Sequence, residues 1–324
     1  MSVLIIGGAG YIGSHAARYF YEQGRSVVVV DNLLTGHRDA VGDLPFYELD
    51  IRDEEKLYEV LKKEQIKSVL HFAARSLVGE SVEKPAEYYE NNVGGMLSLL
   101  SSMLRANVKN IIFSSTAAVY GEPAEIPITE NCPTKPLSPY GKSKLMMEQL
   151  IADYAKAYDI SYVALRYFNA AGASKDGKLG ERHRPETHLI PIILDVALGR
   201  REKLEVYGSD YPTKDGTCIR DYIHIDDLIS AHYLALDYLE KGGKSDVFNL
   251  SSESGFSNLE ILEAAKKVCE RPINWQMGER RAGDPAILIA DSSKAERILG
   301  WRKEHSNLAE IIGDAWNFHR NFFS

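Results

Sequence analysis

Apolar runs of strand length alternate with helix-length amphipathic stretches through the first half of the chain. Residues 3–6 are apolar and lead straight into glycines, and 11–23 read as a helix closed by Gly24. Residues 26–30 form a β-branched run ending at Asp31, and 52–65 read as a charged amphipathic helix. A strand over 68–72, a helix over 87–106 with Pro85 near its start, and a strand over 110–115 follow. A helix over 140–158 and a strand over 161–166 complete the series. This alternation predicts βαβ units and a doubly wound parallel sheet of the α/β class. The run Val27-Val28-Val29-Val30 has no polar alternation, as expected of strands covered by helices on both faces.

The texture changes after about residue 170. Residues 169–187 are polar and rich in glycine and charge, which predicts a long functional loop or crossover. Shorter elements follow at 189–198, 204–207, 226–239, 247–250, 258–269 and 308–319. The expected division is 1–175 and 176–324, with a soft boundary because later segments can pack back on the first sheet.

Composition narrows the function classes. At 324 residues, 44% hydrophobic and 26% charged, the chain has the make-up of a globular enzyme with a substantial core. A net charge of −8 argues against broad nucleic-acid or anionic-membrane binding. Three widely spaced cysteines, Cys132, Cys218 and Cys269, argue against a disulfide framework or a cysteine metal site. No apolar run reaches the ~18 residues of a membrane span, and the start lacks a signal-peptide pattern. The expectation is a cytoplasmic protein. The nine histidines are scattered; His183 with His188, and His224 with Asp226, lack a complete ligand set, so no metal is expected.

Gly7-Gly8-Ala9-Gly10-Tyr11-Ile12-Gly13 follows the first strand and opens the first helix. Small residues let the backbone approach a pyrophosphate, and a helix N-terminus offers free N–H groups to it. Taken alone, the same glycines suit a tight turn. Asp31 strengthens the binding reading, because an acidic residue ending the second strand accepts bonds from ribose hydroxyls and repels a 2′-phosphate. That points to NAD rather than NADP. Asp50-Ile51, after the third strand, suit flanking the adenine, and Asp50 equally suits a solvated turn.

Tyr140 and Lys144 stand at i and i+4 on one helix face. A lysine beside a cationic nicotinamide would favour the phenolate, which takes a proton from a sugar hydroxyl while hydride leaves its carbon. Tyr58 and Lys62 repeat the spacing on a charged helix without nearby chemistry and read as structural. Thr116, at the end of the run Phe113-Ser114-Ser115-Thr116, supplies a hydroxyl at a strand end. Its alternative role is capping a turn.

Gly7 to Gly13, Asp31-Asn32, His71-Phe72-Ala73-Ala74, Asn92, Ser114 to Thr116 and Tyr140 to Lys144 together resemble the extended short-chain dehydrogenase/reductase family. Val78-Gly79-Glu80-Ser81, Asn91-Asn92-Val93, Arg166-Tyr167-Phe168-Asn169, Asp215-Gly216-Thr217, Arg220-Asp221-Tyr222 and Arg281-Ala282-Gly283-Asp284 resemble its nucleotide-sugar 4-epimerases more narrowly. The resemblance implies a Rossmann-type NAD domain and a smaller C-terminal α/β substrate-binding domain. By it, Thr116, Tyr140 and Lys144 are catalytic. Gly7, Gly10, Tyr11, Ile12, Gly13, Asp31, Asn32, Asp50, Ile51, Phe72, Ala73, Ala74, Asn92, Ser114, Tyr140, Lys144 and Tyr167 touch NAD. Thr116, Tyr140, Asn169, His188, Leu189, Tyr207, Arg220, Arg281, Asp284 and Leu288 hold a UDP-hexose. It implies interconversion of UDP-glucose and UDP-galactose by transient oxidation at C4 to a 4-keto sugar, with N-acetylated UDP-hexoses as further candidates, and a homodimer.

Four positions depart from the family pattern: Ile6 stands for a Thr, Ser76 for a lysine, His188 for an Asn and Leu288 for a Tyr. Ala117-Ala118 after Thr116 leave no carboxylate for a dehydratase. UDP-xylose 4-epimerisation fits the same residues, whereas a non-catalytic NAD sensor has no need of Tyr140 and Lys144.

Overall fold

The computed structural model describes residues 1–280 and 285–323. The first half supplies β1 (Ser2–Ile6), β2 (Ser26–Asp31), β3 (Phe46–Glu48), β4 (Ser68–His71), β5 (Asn110–Ser114) and β6 (Ser161–Arg166). The rest adds β7 (Asn169–Ala171), β8 (Leu204–Tyr207), β9 (Ile219–His224), β10 (Asp246–Asn249), β11 (Gly255–Ser257), β12 (Trp275–Gly278) and β13 (Ile287–Leu288). The central sheet has the order β3-β2-β1-β4-β5-β6-β10, and every neighbouring pair is parallel. The order reverses between β1 and β4, which opens a crevice beyond the carboxyl ends of these strands.

The absence of polar alternation in the strands has a direct cause. Successive side chains point to opposite faces, and both faces are dry. Val3, Ile5, Val27, Val29 and Leu70 pack with Phe20 of the helix Tyr11–Glu22 and Leu228 and Leu236 of the helix Ile225–Glu240. Leu4, Ile6, Val28, Val30 and Val69 pack with Leu57 of Glu54–Lys63, Leu99 of Gly95–Ala106 and Met147 of Pro139–Tyr158. The two layers thus use alternate residues of the same strands.

A smaller assembly covers the crevice side. β11, β9 and β13 form a sheet that β7 joins by pairing with β9, and β8 pairs with β12. Its apolar centre joins Ile190 and Leu194 of Leu189–Ala197, Ile261 of Asn258–Cys269, and Ile312 and Trp316 of Leu308–Phe323. The chain recrosses the expected division at residue 175. The helix Ile225–Glu240 packs on the first sheet and β10 becomes its seventh strand. Among the described residues, no helix is long and apolar enough to cross a membrane.

Two elements differ from the sequence expectation. The helix expected over 87–106 is a short helix Pro85–Tyr88, a π-turn over Tyr89–Gly94 and a helix Gly95–Ala106. Asn92 bonds away from its own helix: its side chain accepts from the Arg75 N–H (2.9 Å) and donates to Ser143 Oγ (2.9 Å). Widened turns of this kind recur at functional sites. The stretch expected as a loop over 169–187 begins with β7 and holds a bridge between Ala173 and Gly180.

Candidate active site

The glycine loop lies at the carboxyl end of β1. Gly7 donates to Val30 O (2.8 Å), which ties the turn to β2. A Cβ on Gly13 would lie 2.0 Å from Gly7 O, so only glycine lets the helix start this close to the strand. Gly10 precedes the helix Tyr11–Glu22, which has no side-chain cap and no acidic residue in its first turn. Its N-terminus therefore keeps the positive end of the helix for an anion. Ile12 is half-buried against the first core, and the Tyr11 hydroxyl donates to Gly172 O (2.8 Å).

Asp31 is buried, and its two carboxylate oxygens accept the Ala9 and Leu33 N–H groups (2.9 and 2.8 Å). Burial pushes its pKa up, and these backbone bonds offset part of that. A carboxylate has lone pairs left for a ribose after two such bonds. Asn32 donates to Asp50 (3.2 Å), and Arg52 beside Asp50 holds that carboxyl down to about 2. The Ile51 side chain packs against Gly95, at the start of the helix that follows the π-turn. The Phe72 ring packs on His232 at 4.8 Å with the planes tilted by 41°, while Ala73 and the half-buried Ala74 extend from β4 beside Gly7. The residues read from sequence as cofactor contacts thus gather along the ends of β1, β2, β4 and β5. The described chain fits NAD: a glycine cradle that a Cβ would fill, an uncapped helix start, and an acid at the end of β2.

Tyr140 is brought to Thr116 by Gly141. A Cβ at Gly141 would lie 2.8 Å from Ala118 O, so the start of the helix Pro139–Tyr158 rides on the turn after Thr116. That helix is set by Pro139 at its first position and by Ser138 Oγ, which accepts from the Gly141 N–H (3.1 Å). Thr116 also has the alternative role foreseen for it, since its hydroxyl accepts from the Ala118 N–H (3.1 Å). Burial raises the Tyr140 pKa, and the Thr116 hydroxyl offsets part of the rise.

Lys144 is buried and donates to Ser114 O (2.8 Å) at the end of β5. Burial lowers its pKa to about 7, partly offset by Glu148. Ser114 Oγ bonds the Tyr167 hydroxyl, whose pKa burial drives up. Ser114, Lys144 and Tyr167 are thus buried around the end of β5, with the half-buried Tyr140 beside them.

Beneath this group lies a network that sequence reasoning missed. Arg166 pairs with Glu148 (Nε to Oε1 2.9 Å), with both side chains buried, and Ser115 Oγ donates to the same carboxylate. Arg166 also donates to the Tyr120 hydroxyl (2.9 Å), which donates to Asn249 of β10 (2.7 Å). A buried pair with such added bonds fixes geometry, although breaking it is costly.

The substrate-side residues are spread over the smaller assembly. Asn169 on β7 donates to Asp221 O (2.9 Å). Arg220 on β9 donates to Ile219 O (2.9 Å) and stands in register with Leu288 on β13. Leu288 is half-buried against Ala117, Val119 and Ile128, beside the turn that follows Thr116. The Tyr207 hydroxyl donates to Glu205 (3.0 Å) on β8. His188 precedes the helix Leu189–Ala197, and Leu189 is half-buried against the apolar centre of the smaller assembly. Arg281 and Asp284 lie outside the described residues.

His188 has partners that the sequence reading left out. Its Nδ1 lies 2.8 Å from Glu181 and 3.0 Å from Glu186, and Glu181 pushes its pKa well up. His183 joins the same group. The alternation of acid and histidine in Glu181-x-His183-x-x-Glu186-x-His188 was the available signal.

The parallel sheet, glycine loop and Thr–Tyr–Lys group define a Rossmann-type nucleotide-dependent enzyme. The chain belongs to the NAD dependent epimerase/dehydratase family, whose sequence model matches residues 3–251. It is 55% identical over 322 residues to the UDP-glucose 4-epimerase of Lactobacillus helveticus, covering 99% of this chain and 98% of that one. The crystal structure of UDP-glucose 4-epimerase from Brucella ovis in complex with NAD superimposes with a TM-score of 0.96 at 50% identity, covering 98% of both chains. That of the Bifidobacterium longum enzyme in complex with NAD⁺ and UDP gives 0.94 at 40% identity, covering 99% of both.

Proposed function

We infer that this chain interconverts UDP-glucose and UDP-galactose by transient oxidation at C4. The observation that carries the reading is the gathering of Thr116, Tyr140 and Lys144 at the end of β5, in a chain similar over its full length to enzymes of that name. Bound NAD supplies the acceptor and later the donor of the C4 hydride. Tyr140 takes the proton of the 4-hydroxyl and returns it after the sugar presents its other face. Thr116 orients that hydroxyl, and Lys144 in its cationic form stabilises the phenolate. Ala117 and Ala118 offer no proton donor for loss of water.

In the same reading Gly7, Gly10, Ile12 and Gly13 cradle the NAD pyrophosphate, and Asp31 with Asn32 holds the adenosine ribose. Asn169, Leu189, Tyr207, Arg220, Arg281 and Asp284 take the UDP moiety, while His188 and Leu288 border the sugar. The partition is a cofactor lobe from 1–175, completed by the returning segment, and a substrate lobe from the remainder. A homodimer forms through the helices Gly95–Ala106 and Pro139–Tyr158, which expose Leu97, Leu104 and Met146. The cytoplasm is the proposed location. Purified protein incubated with UDP-galactose, without added NAD, should yield UDP-glucose. Recovery of unchanged substrate, or of a free 4-keto product, overturns the reading.

A further inference from the structure

The residues 181–188 form a strap between the two lobes. At one end, Arg182 O lies 3.0 Å from His37 Nε2, and the His37 N–H donates to Ala9 O (2.8 Å) in the glycine loop. At the other, His188 opens the helix Leu189–Ala197. Between these ends, Glu181, His183, Glu186 and His188 turn one donor atom each toward a common centre, all within 4.8 Å of one another.

Their spacing is that of a coordination shell. Zinc binds imidazole nitrogen and carboxylate oxygen at about 2.0–2.1 Å, so the edge of its tetrahedron is about 3.3 Å. Three of the six edges can be read for either choice of Glu186 oxygen. His183 Nδ1 lies 3.2 Å from Glu181 Oε1 and 3.7 Å from Glu186 Oε2. His188 Nδ1 lies 2.8 Å from Glu181 Oε1 and 3.0 Å from Glu186 Oε1. These values straddle the tetrahedral edge.

His183 Nδ1 stands close to both carboxylates without a well-aligned hydrogen bond to either. A cavity of about 150 Å³, lined by Arg182, Arg184 and Arg200 as well as by Asp195 and His319, reaches three of the four donors, Glu181, His183 and Glu186. Glu186 also accepts the Thr187 and His188 N–H groups through Oε1 (2.8 and 2.9 Å), and the His183 N–H through Oε2 at the longer distance of 3.3 Å. Those bonds fix the carboxylate as outer partners fix metal ligands.

We propose that Glu181, His183, Glu186 and His188 bind one divalent d-block cation of the zinc class. The two carboxylates balance its charge, and any proton on either Nδ1 is released as the metal enters. Four protein donors close the shell, which assigns a holding role rather than a catalytic one. The ion would lock the strap that joins the glycine loop to the helix Leu189–Ala197. This site stands whether or not the proposed reaction does.

The test is metal titration of the full chain with its bound nucleotide, after dialysis against a chelator. Wild type should bind one Co²⁺ per chain with the intense visible bands of tetrahedral Co²⁺, and Zn²⁺ should displace it. Loss of an outer partner alone typically weakens metal binding about 10- to 100-fold, so His183→Gln should weaken it at least about 100-fold. Asp195→Asn, in the cavity wall but outside the four donors, should leave binding unchanged. If His183→Gln fails to fold, X-ray absorption of Zn²⁺-loaded wild type decides, and should show four nitrogen and oxygen neighbours at about 2.0–2.1 Å. Absence of saturable Co²⁺ binding, octahedral bands, a shell without imidazole, or wild-type affinity in His183→Gln each overturns the proposal.

Discussion

The cofactor side and the substrate side of the crevice are built from different materials. Around Gly7 to Gly13 the backbone makes the site, and the side chains chiefly have to be absent. From Asn169 to Leu288 the described polar candidates are side chains on separate short elements, already bonded locally, as Asn169 is to Asp221 O and Tyr207 to Glu205. A backbone site tolerates little change in conformation. A side-chain site can be retuned one residue at a time, so differences in substrate choice should collect there.

The largest expected effect lies where the two sides meet. Tyr140→Phe keeps the ring and removes the proton acceptor, so turnover should fall by at least ~10²-fold. Retention of bound NAD and of UDP, measured on the same preparation, should be unchanged. Near-normal epimerisation would remove Tyr140 from the chemistry.

Arg166→Met tests whether the cofactor side also depends on its buried side-chain layer. It leaves Glu148 as an unpaired buried charge, and chemical denaturation should show a loss of roughly 3–5 kcal/mol. A loss under about 1 kcal/mol would mean that the network is dispensable.

Lys144 adds a pH signature. Its folded pKa of about 7 lies below the ordinary lysine value, so the unfolded chain binds the extra proton between pH 7 and about 10. Stability relative to Lys144→Met should therefore rise across that window and be lowest below pH 7. The swing should be on the order of a few kcal/mol. A flat difference would show that the amine is solvated in the nucleotide-free protein.

Gly13→Ala places a Cβ against Gly7 O, and overpacking of that kind costs roughly 1–3 kcal/mol, read as lost stability or lost NAD content. Gly79→Ala, in open space, is the matched control and should be neutral or slightly stabilising. Equal behaviour of the two variants would show that the cofactor side does not depend on the close backbone approach at Gly13.

The smallest effect belongs to the substrate side. On the proposed placing of Leu288 beside the sugar, a leucine is smaller than the tyrosine of the family pattern, so wild type should turn over UDP-N-acetylglucosamine as well as UDP-glucose. Leu288→Tyr should then favour the smaller sugar by about 5- to 150-fold, the equivalent of roughly 1–3 kcal/mol. No activity of wild type on the N-acetylated sugar, beside good turnover of UDP-galactose, would refute the size argument.

What was legible in the sequence follows the same divide. Backbone constraints leave local marks, so the glycine loop, Asp31 and the unbroken valine run of β2 could be read from neighbouring residues. The Arg166–Glu148–Tyr120–Asn249 network could not, because its members come from separate elements and each looks like an ordinary polar residue in its own window. The π-turn was hidden for the opposite reason. Its neighbours carry a helical pattern, and only the distant partners Arg75 and Ser143 draw Asn92 out of it. Glu181 and Glu186 were passed over because His183 and His188 were weighed without the acids interleaved with them.

The seventh strand has a consequence for how the protein is made. β6 leaves the ribosome with one edge paired to β5 and the other bare, and bare edges invite pairing with other chains. Its partner β10 is synthesised only after the whole stretch from β7 to the helix Ile225–Glu240. Until then the nascent chain must carry an open strand and an uncovered apolar face. A gene fragment ending near residue 175 would make that condition permanent, and its product should aggregate where the full chain does not.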